Sequence, residues 1–99
     1  MIRVIIEWQL ENEGSKDKLM GLLRDLRVSA MHQVGFVTSE TLLNAEDKKE
    51  VIVVSTWRSP EYWKAWETAE PRIAITEMIY PLVAREPKFK ICEIASMAD

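Results

Sequence analysis

Val51-Ile52-Val53-Val54-Ser55-Thr56-Trp57-Arg58-Ser59-Pro60-Glu61 joins a strand to the start of a helix, and the fold is read outward from it. The run from Val51 to Val54 is continuously apolar and β-branched, the pattern of a strand covered on both faces, so a central place in a sheet is expected. Ser59, Pro60 and Glu61 then give a helix start: a capping hydroxyl, a proline whose fixed φ suits the first helical position, and an acid near the positive end of the dipole. Downstream, Tyr62, Trp63, Ala65, Trp66 and Ala69 continue the helix, and Trp63 and Trp66, three apart, share a face. Pro71 is expected to end or kink it. A further helical piece covers 72–80 with Ile73, Ile75, Met78 and Ile79. Pro81 and Pro87 bracket an extended linker. Residues 88–94 alternate as a last strand, with Phe89, Ile91 and Glu93 on one side and Lys88, Lys90, Cys92 and Ile94 on the other. Residues 95–99 carry no signal and are expected to fray.

Upstream, 36–44 is rich in Val, Thr and Phe and reads as the strand preceding the central one, with a polar turn at 45–49. Before it, Leu19, Leu22, Leu23, Leu26 and Ala30 recur at helical spacing. Ser15 is the expected cap and Asp17 an acid in the first turn. The helix is predicted over 15–33, and Gly35 stands where a positive-φ glycine would stop it. At the N-terminus, Ile2, Val4, Ile6, Trp8 and Leu10 alternate with Arg3, Ile5, Glu7 and Gln9, the period of a strand. The order is therefore β-α-β-β-α-β. Two strand–helix–strand units with right-handed crossovers make an α+β, ferredoxin-like domain with a four-stranded antiparallel sheet and its helices on one face. The chain, 1–99, is read as one such domain. The other face carries large apolar side chains with nothing over them, and a homodimer that buries them is expected.

The net charge is −3 at pH 7 and the pI about 5.2. Nucleic acid requires a basic stripe to displace counterions; Lys48 and Lys49 sit between Asp47 and Glu50, so no nucleic-acid partner is expected. Cys92 is the only cysteine, which excludes an intrachain disulfide and any multi-cysteine metal site. No stretch approaches the ~20 apolar residues of a bilayer span, and the short N-terminal apolar run is interrupted by Glu7, so a cytoplasmic protein without membrane partners is expected. Four tryptophans in 99 residues exceed what a small core comfortably holds, so some are expected to line a pocket or an interface.

Three stretches resemble the antibiotic biosynthesis monooxygenase family. Gly35-Phe36-Val37 is similar to its "PGF" junction, with Val34 where proline is common. Val53 to Glu61 is similar to its strand, Trp and "x-S-x-E" signature, and Tyr62-Trp63-Lys64-Ala65-Trp66 to its aromatic helix opening. The resemblance follows element order over residues 2–94. It implies a dimeric α+β barrel, with a ligand cavity between sheet and helices in each subunit. It also implies a cofactor-independent oxygenase of aromatic quinols or polyketides, or a haem-degrading enzyme. Two departures weigh against haem degradation: Glu7 stands where that branch has an asparagine, and residues 67–81 contain no histidine to hold haem iron.

Trp66 matches the family's cavity tryptophan and reads either as a stacking surface or as core. His32, the only histidine, reads as a base for a phenol or quinol near the implied cavity mouth, or as an exposed helix-end residue. Glu7, among apolar neighbours, reads as an acid or base if it faces the cavity and as structural otherwise. Alternation requires that Glu7 and Trp8 point to opposite faces. Arg72 is a candidate partner for an anionic group. Trp63, Phe36 and the adaptable Met78 complete the expected substrate-binding set. No metal or cofactor is called for. Three functions follow: a cofactor-independent monooxygenase of a small hydrophobic or aromatic molecule, a non-catalytic dimer binding haem, quinone or lipid, and a structural dimer whose tryptophans are all core.

Overall fold

The structure, a computed structural model, describes residues 1–96, so 97–99 of the tail expected to fray lie outside the described residues. Strand β1 (Ile2–Gln9) leads through a 3-10 turn at Glu13–Ser15 into helix α1 (Lys16–Ala30). Strands β2 (Phe36–Leu43) and β3 (Glu50–Trp57) follow as a hairpin. Helices α2 (Pro60–Glu67) and α3 (Glu70–Ile79) and strand β4 (Lys88–Glu93) complete the chain. The sheet order is β2-β3-β1-β4, with every neighbour antiparallel. The two strands of greatest apolar content thus sit in the middle, and the fold is α+β and ferredoxin-like.

Alternation sets the two faces. Ile2, Val4, Ile6 and Trp8 point under the helices and are buried. Opposite them on β3 stand Trp57, Ser55, Val53 and Val51, and beside Ile2, Val4 and Ile6 on β4 stand Glu93, Ile91 and Phe89. Leu19, Leu22, Leu23 and Ala30 of α1 close the core from above with Trp63, Trp66 and Ile79. The reverse face carries Ile5, Glu7, Ile52 and Val54, all half-buried with no helix of the fold over them. No helix among the described residues is long and apolar enough to cross a membrane.

Several local expectations are revised. Helix α1 ends at Ala30 rather than Gln33. The chain then makes tight turns, with the amides of Met31, His32 and Gln33 bonding the carbonyls of Arg27, Ser29 and Ala30. Gly35 does adopt positive φ, at 88°, and it immediately precedes β2. Second, Pro71 does not terminate α2. That helix ends four residues earlier, and Pro71 lies in the first turn of α3, where its missing N–H has no partner to lose. Third, neither Ser15 nor Ser59 caps through its hydroxyl. The local cap before α1 is instead Asn12, whose side chain accepts from the Gly14 amide at 2.8 Å.

Candidate functional site

Six elements converge on one cavity of about 50 Å³ beneath the helical layer. Inward alternation supplies Ile6 and Trp8 from β1 and Val53, Ser55 and Trp57 from β3. The apolar stripe of α1 supplies Leu23, Leu26 and Ala30, with Arg27 at its margin. Phe36, Ser39 and Thr41 come from β2, Trp63 and Trp66 from α2, and Arg72 from the first turn of α3. A space that size holds only a few water molecules, at roughly 10–15 Å³ each. A ring system therefore enters only as the wall moves, and Arg27, Leu26 and Phe36 are among its less enclosed members.

All four tryptophans are buried and all four line this cavity. The core accommodates them and the cavity draws on them, because three of the four pack on one another and Trp8 packs beside Tyr80, with ring centroids 6.4 Å apart. Trp57 is the hub: its ring lies 6.5 Å from Trp66 at an interplanar angle of 25°, edge-on to Trp63 at 6.0 Å and edge-on to Phe36 at 5.4 Å. Offset-stacked and edge-to-face pairs of this kind add attraction beyond simple burial. The Trp57 indole N–H donates to Ser55 Oγ at 3.0 Å, so that polar atom is satisfied. The Trp63 indole N–H is buried with no hydrogen-bond partner.

Arg72 is the charged member of the wall that is nearly enclosed, at 8% exposure. Its guanidinium lies 5.2 Å from the Trp63 ring centroid and donates to the Glu67 carbonyl at 3.4 Å. Among the described residues it makes no ion pair. Burial pushes its pKa below the usual arginine value, opposed chiefly by the nearby Glu67 carboxylate, and the group stays cationic at neutral pH. The wall contains two arginines and no Asp, Glu or His. Among the described residues, no three His, Cys, Asp or Glu side chains gather where they could hold a metal ion.

Of the residues singled out from sequence, Trp63, Trp66, Phe36 and Arg72 meet at the cavity. Glu7 does not: it points to the reverse face of the sheet, between Ile52 and Lys88, because Trp8 takes the inward side. His32 is exposed in the turn after α1, and Met78 is exposed on the outer side of α3. Neither lines the cavity. Sequence reasoning missed Trp8, Trp57, Arg27, Ser39, Thr41 and Ser55 as wall residues. The signal for Trp8, Ser55 and Trp57 was present in the alternation of β1 and β3.

The family model described as antibiotic biosynthesis monooxygenase matches residues 1–77. The fold is similar to several solved structures. Rv0793 from Mycobacterium tuberculosis superposes with a TM-score of 0.86 at 13% identity, over 99% of this chain and 98% of that one. SnoaB of Streptomyces nogalater, described as a cofactor-independent oxygenase, gives 0.86 at 7% identity, over 97% and 94%. A Nitrosomonas europaea protein, provisionally assigned as an antibiotic biosynthesis monooxygenase, gives 0.87 at 11%, over 97% and 100%. No curated protein matches the sequence.

Proposed function

The chain belongs to the antibiotic biosynthesis monooxygenase family, and from that premise we propose that it is a cofactor-independent monooxygenase of an aromatic or quinol-like small molecule. The observation that carries the reading is the cavity wall, in which four indoles and a phenyl ring surround a space bordered by hydroxyls and guanidinium groups. Such a wall suits a flat, electron-rich ligand bearing oxygen substituents. The description of SnoaB, a protein of the same fold, supports the same chemistry.

In the proposed reaction an activated ring CH₂ becomes a carbonyl. One atom of dioxygen enters the substrate and the other leaves as water, and the substrate supplies all four electrons. The protein's share is positioning and exclusion of bulk water. Trp66 offers a stacking surface to the ring, Trp57, Trp63 and Phe36 border it, and Arg72 takes an oxygen substituent. A second copy on the reverse sheet face, over Ile5, Ile52 and Val54, completes the proposed homodimer.

A second reading is favoured by one observation. The wall contains no carboxylate or imidazole to remove a proton, which suits a dimer that binds such a molecule without turning it over. Oxygen uptake with 1,8-dihydroxyanthrone under air separates the two. The monooxygenase reading expects one dioxygen consumed per quinone formed, faster than in buffer, and a loss of about tenfold or more in W66A if the ring positions the substrate. Saturable binding with no uptake above the buffer rate leaves the binding reading. Absence of both refutes a ligand cavity.

A further inference from the structure

We propose that the cavity takes its aromatic substrate as an oxyanion, held between the guanidinium of Arg72 and the indole N–H of Trp63. The inference rests on the reading of the cavity as a substrate site and specifies the charge state of what enters it.

Two independent features of the wall point to a missing acceptor. The first is Arg72, nearly enclosed yet without a carboxylate partner among the described residues; its one hydrogen bond, to the Glu67 carbonyl, is long at 3.4 Å. A guanidinium carries five donors in a planar fork. Buried charges are ordinarily paired, so one left with a carbonyl and an aromatic face is placed to receive an anion. The second is the Trp63 N–H, fully buried and without a partner, on the ring that Arg72 covers. Trp57, in the same cluster, has its N–H satisfied by Ser55; among the described residues Trp63 is the tryptophan whose N–H is both fully buried and unpartnered. Arg27 adds a second positive charge from α1, while β1, β2 and β3 contribute no ionisable side chain to the wall. The carboxylate whose field reaches Arg72 is Glu67, at the end of α2, and the Tyr80 phenol lies beyond α3.

This arrangement also accounts for a wall without a base. A phenol or enol entering a site with a buried cation and a free N–H donor ionises more readily there than in water, and its proton goes to solvent on binding. The electron-rich anion is then the form presented to dioxygen. Permanent carboxylates and ionisable phenols share this chemistry, and the test separates them.

The probes are 4-nitrophenol, whose phenolate has its own visible band, its neutral analogue 4-nitroanisole, and 4-nitrobenzoate, each titrated against the full chain by quenching of tryptophan emission. We expect bound 4-nitrophenol to ionise at a pH lower by about one unit or more, a tenfold preference for phenolate, and 4-nitroanisole to bind about tenfold or more weakly than the phenolate. R72M should abolish the preference, so that the phenolate no longer outbinds 4-nitroanisole, and W63F should reduce it. Tight binding of 4-nitrobenzoate alongside the phenolate marks a site for any aromatic oxyanion; binding of the phenolate alone marks one for ionised phenols. Equal binding of 4-nitroanisole and phenolate by the wild-type chain, with no shift in ionisation, overturns the oxyanion proposal and leaves the cavity intact. Failure of all three probes to bind overturns the cavity reading and the proposal together. The wild-type comparison stands even if R72M does not fold.

Discussion

Replacing Gly35 by alanine tests how the loop between α1 and β2 is locked beneath α2. The backbone there has φ of 88°, a left-handed conformation that costs an L-residue about 1–2 kcal/mol. A Cβ at this position would also overlap the Cβ, Cγ and Cδ2 atoms of Tyr62. Because the Tyr62 Cβ is itself in the way, rotating the ring does not clear the space, and α2 or the loop must move. Overpacking of this kind costs a further ~1–3 kcal/mol. The sum, about 2–5 kcal/mol, is a large part of the 5–15 kcal/mol that typically holds a small domain. At roughly 4–8 °C per kcal/mol for a chain of this size, G35A should melt about 10 °C or more below wild type by circular dichroism. The double variant G35A/Y62A should recover part of the loss, since the ring overlap is relieved while the backbone term and the Cβ contact remain. A melting point for G35A within about 2 °C of wild type would refute both the backbone argument and the packing argument.

S55A leaves the buried Trp57 N–H without its 3.0 Å acceptor and should cost about 1–3 kcal/mol in chemical denaturation. R72M removes a buried charge that has no anionic partner among the described residues. The loss of its stacking on Trp63 is outweighed by relief of desolvation, so thermal stability should hold or rise by about 1 kcal/mol. The Glu61 carboxyl is held below the usual carboxylate range by its own backbone amide, then by the Ser59 hydroxyl, with help from Lys64. A depressed folded-state pKa contributes stability above the ordinary carboxylate range and loses it as pH falls through the folded value. E61Q should therefore be less stable than wild type at pH 7, and the two melting points should converge in acid.

Where one face of an element is buried and the other is not, its phase could be read directly. Strand β1 is the clearest case, because Ile2 to Trp8 alternate without interruption, and the same alternation assigns Trp8 inward and Glu7 outward once the helices' side is known. Strand β2 shows why the polar wall was hidden. The register shifts between Phe36 and Thr38, so Phe36 and Ser39, an odd number of residues apart, both line the cavity. Extrapolating a period of two from Phe36 would turn Thr38 and Glu40 inward and Ser39 and Thr41 outward. Arg72 was legible only as a residue type. Its place follows from Pro71 opening a new helix rather than closing the old one, which puts Arg72 in the first turn of α3, over the Trp63 ring. His32 fell outside because α1 stops at Ala30 and the following turn carries it to the surface.

The side chains that make the cavity are largely the side chains that make the core. Trp8, Trp57, Trp63 and Trp66 belong to the buried cluster and to the cavity wall at once. Diversification of ligand preference in this chain is therefore constrained: a change at any indole alters fit and foldedness in one step. Arg27, Ser39 and Thr41 border the same space while remaining partly open to solvent. Drift toward new ligands, in nature or in a mutant library, should accumulate at those three positions and spare the rings.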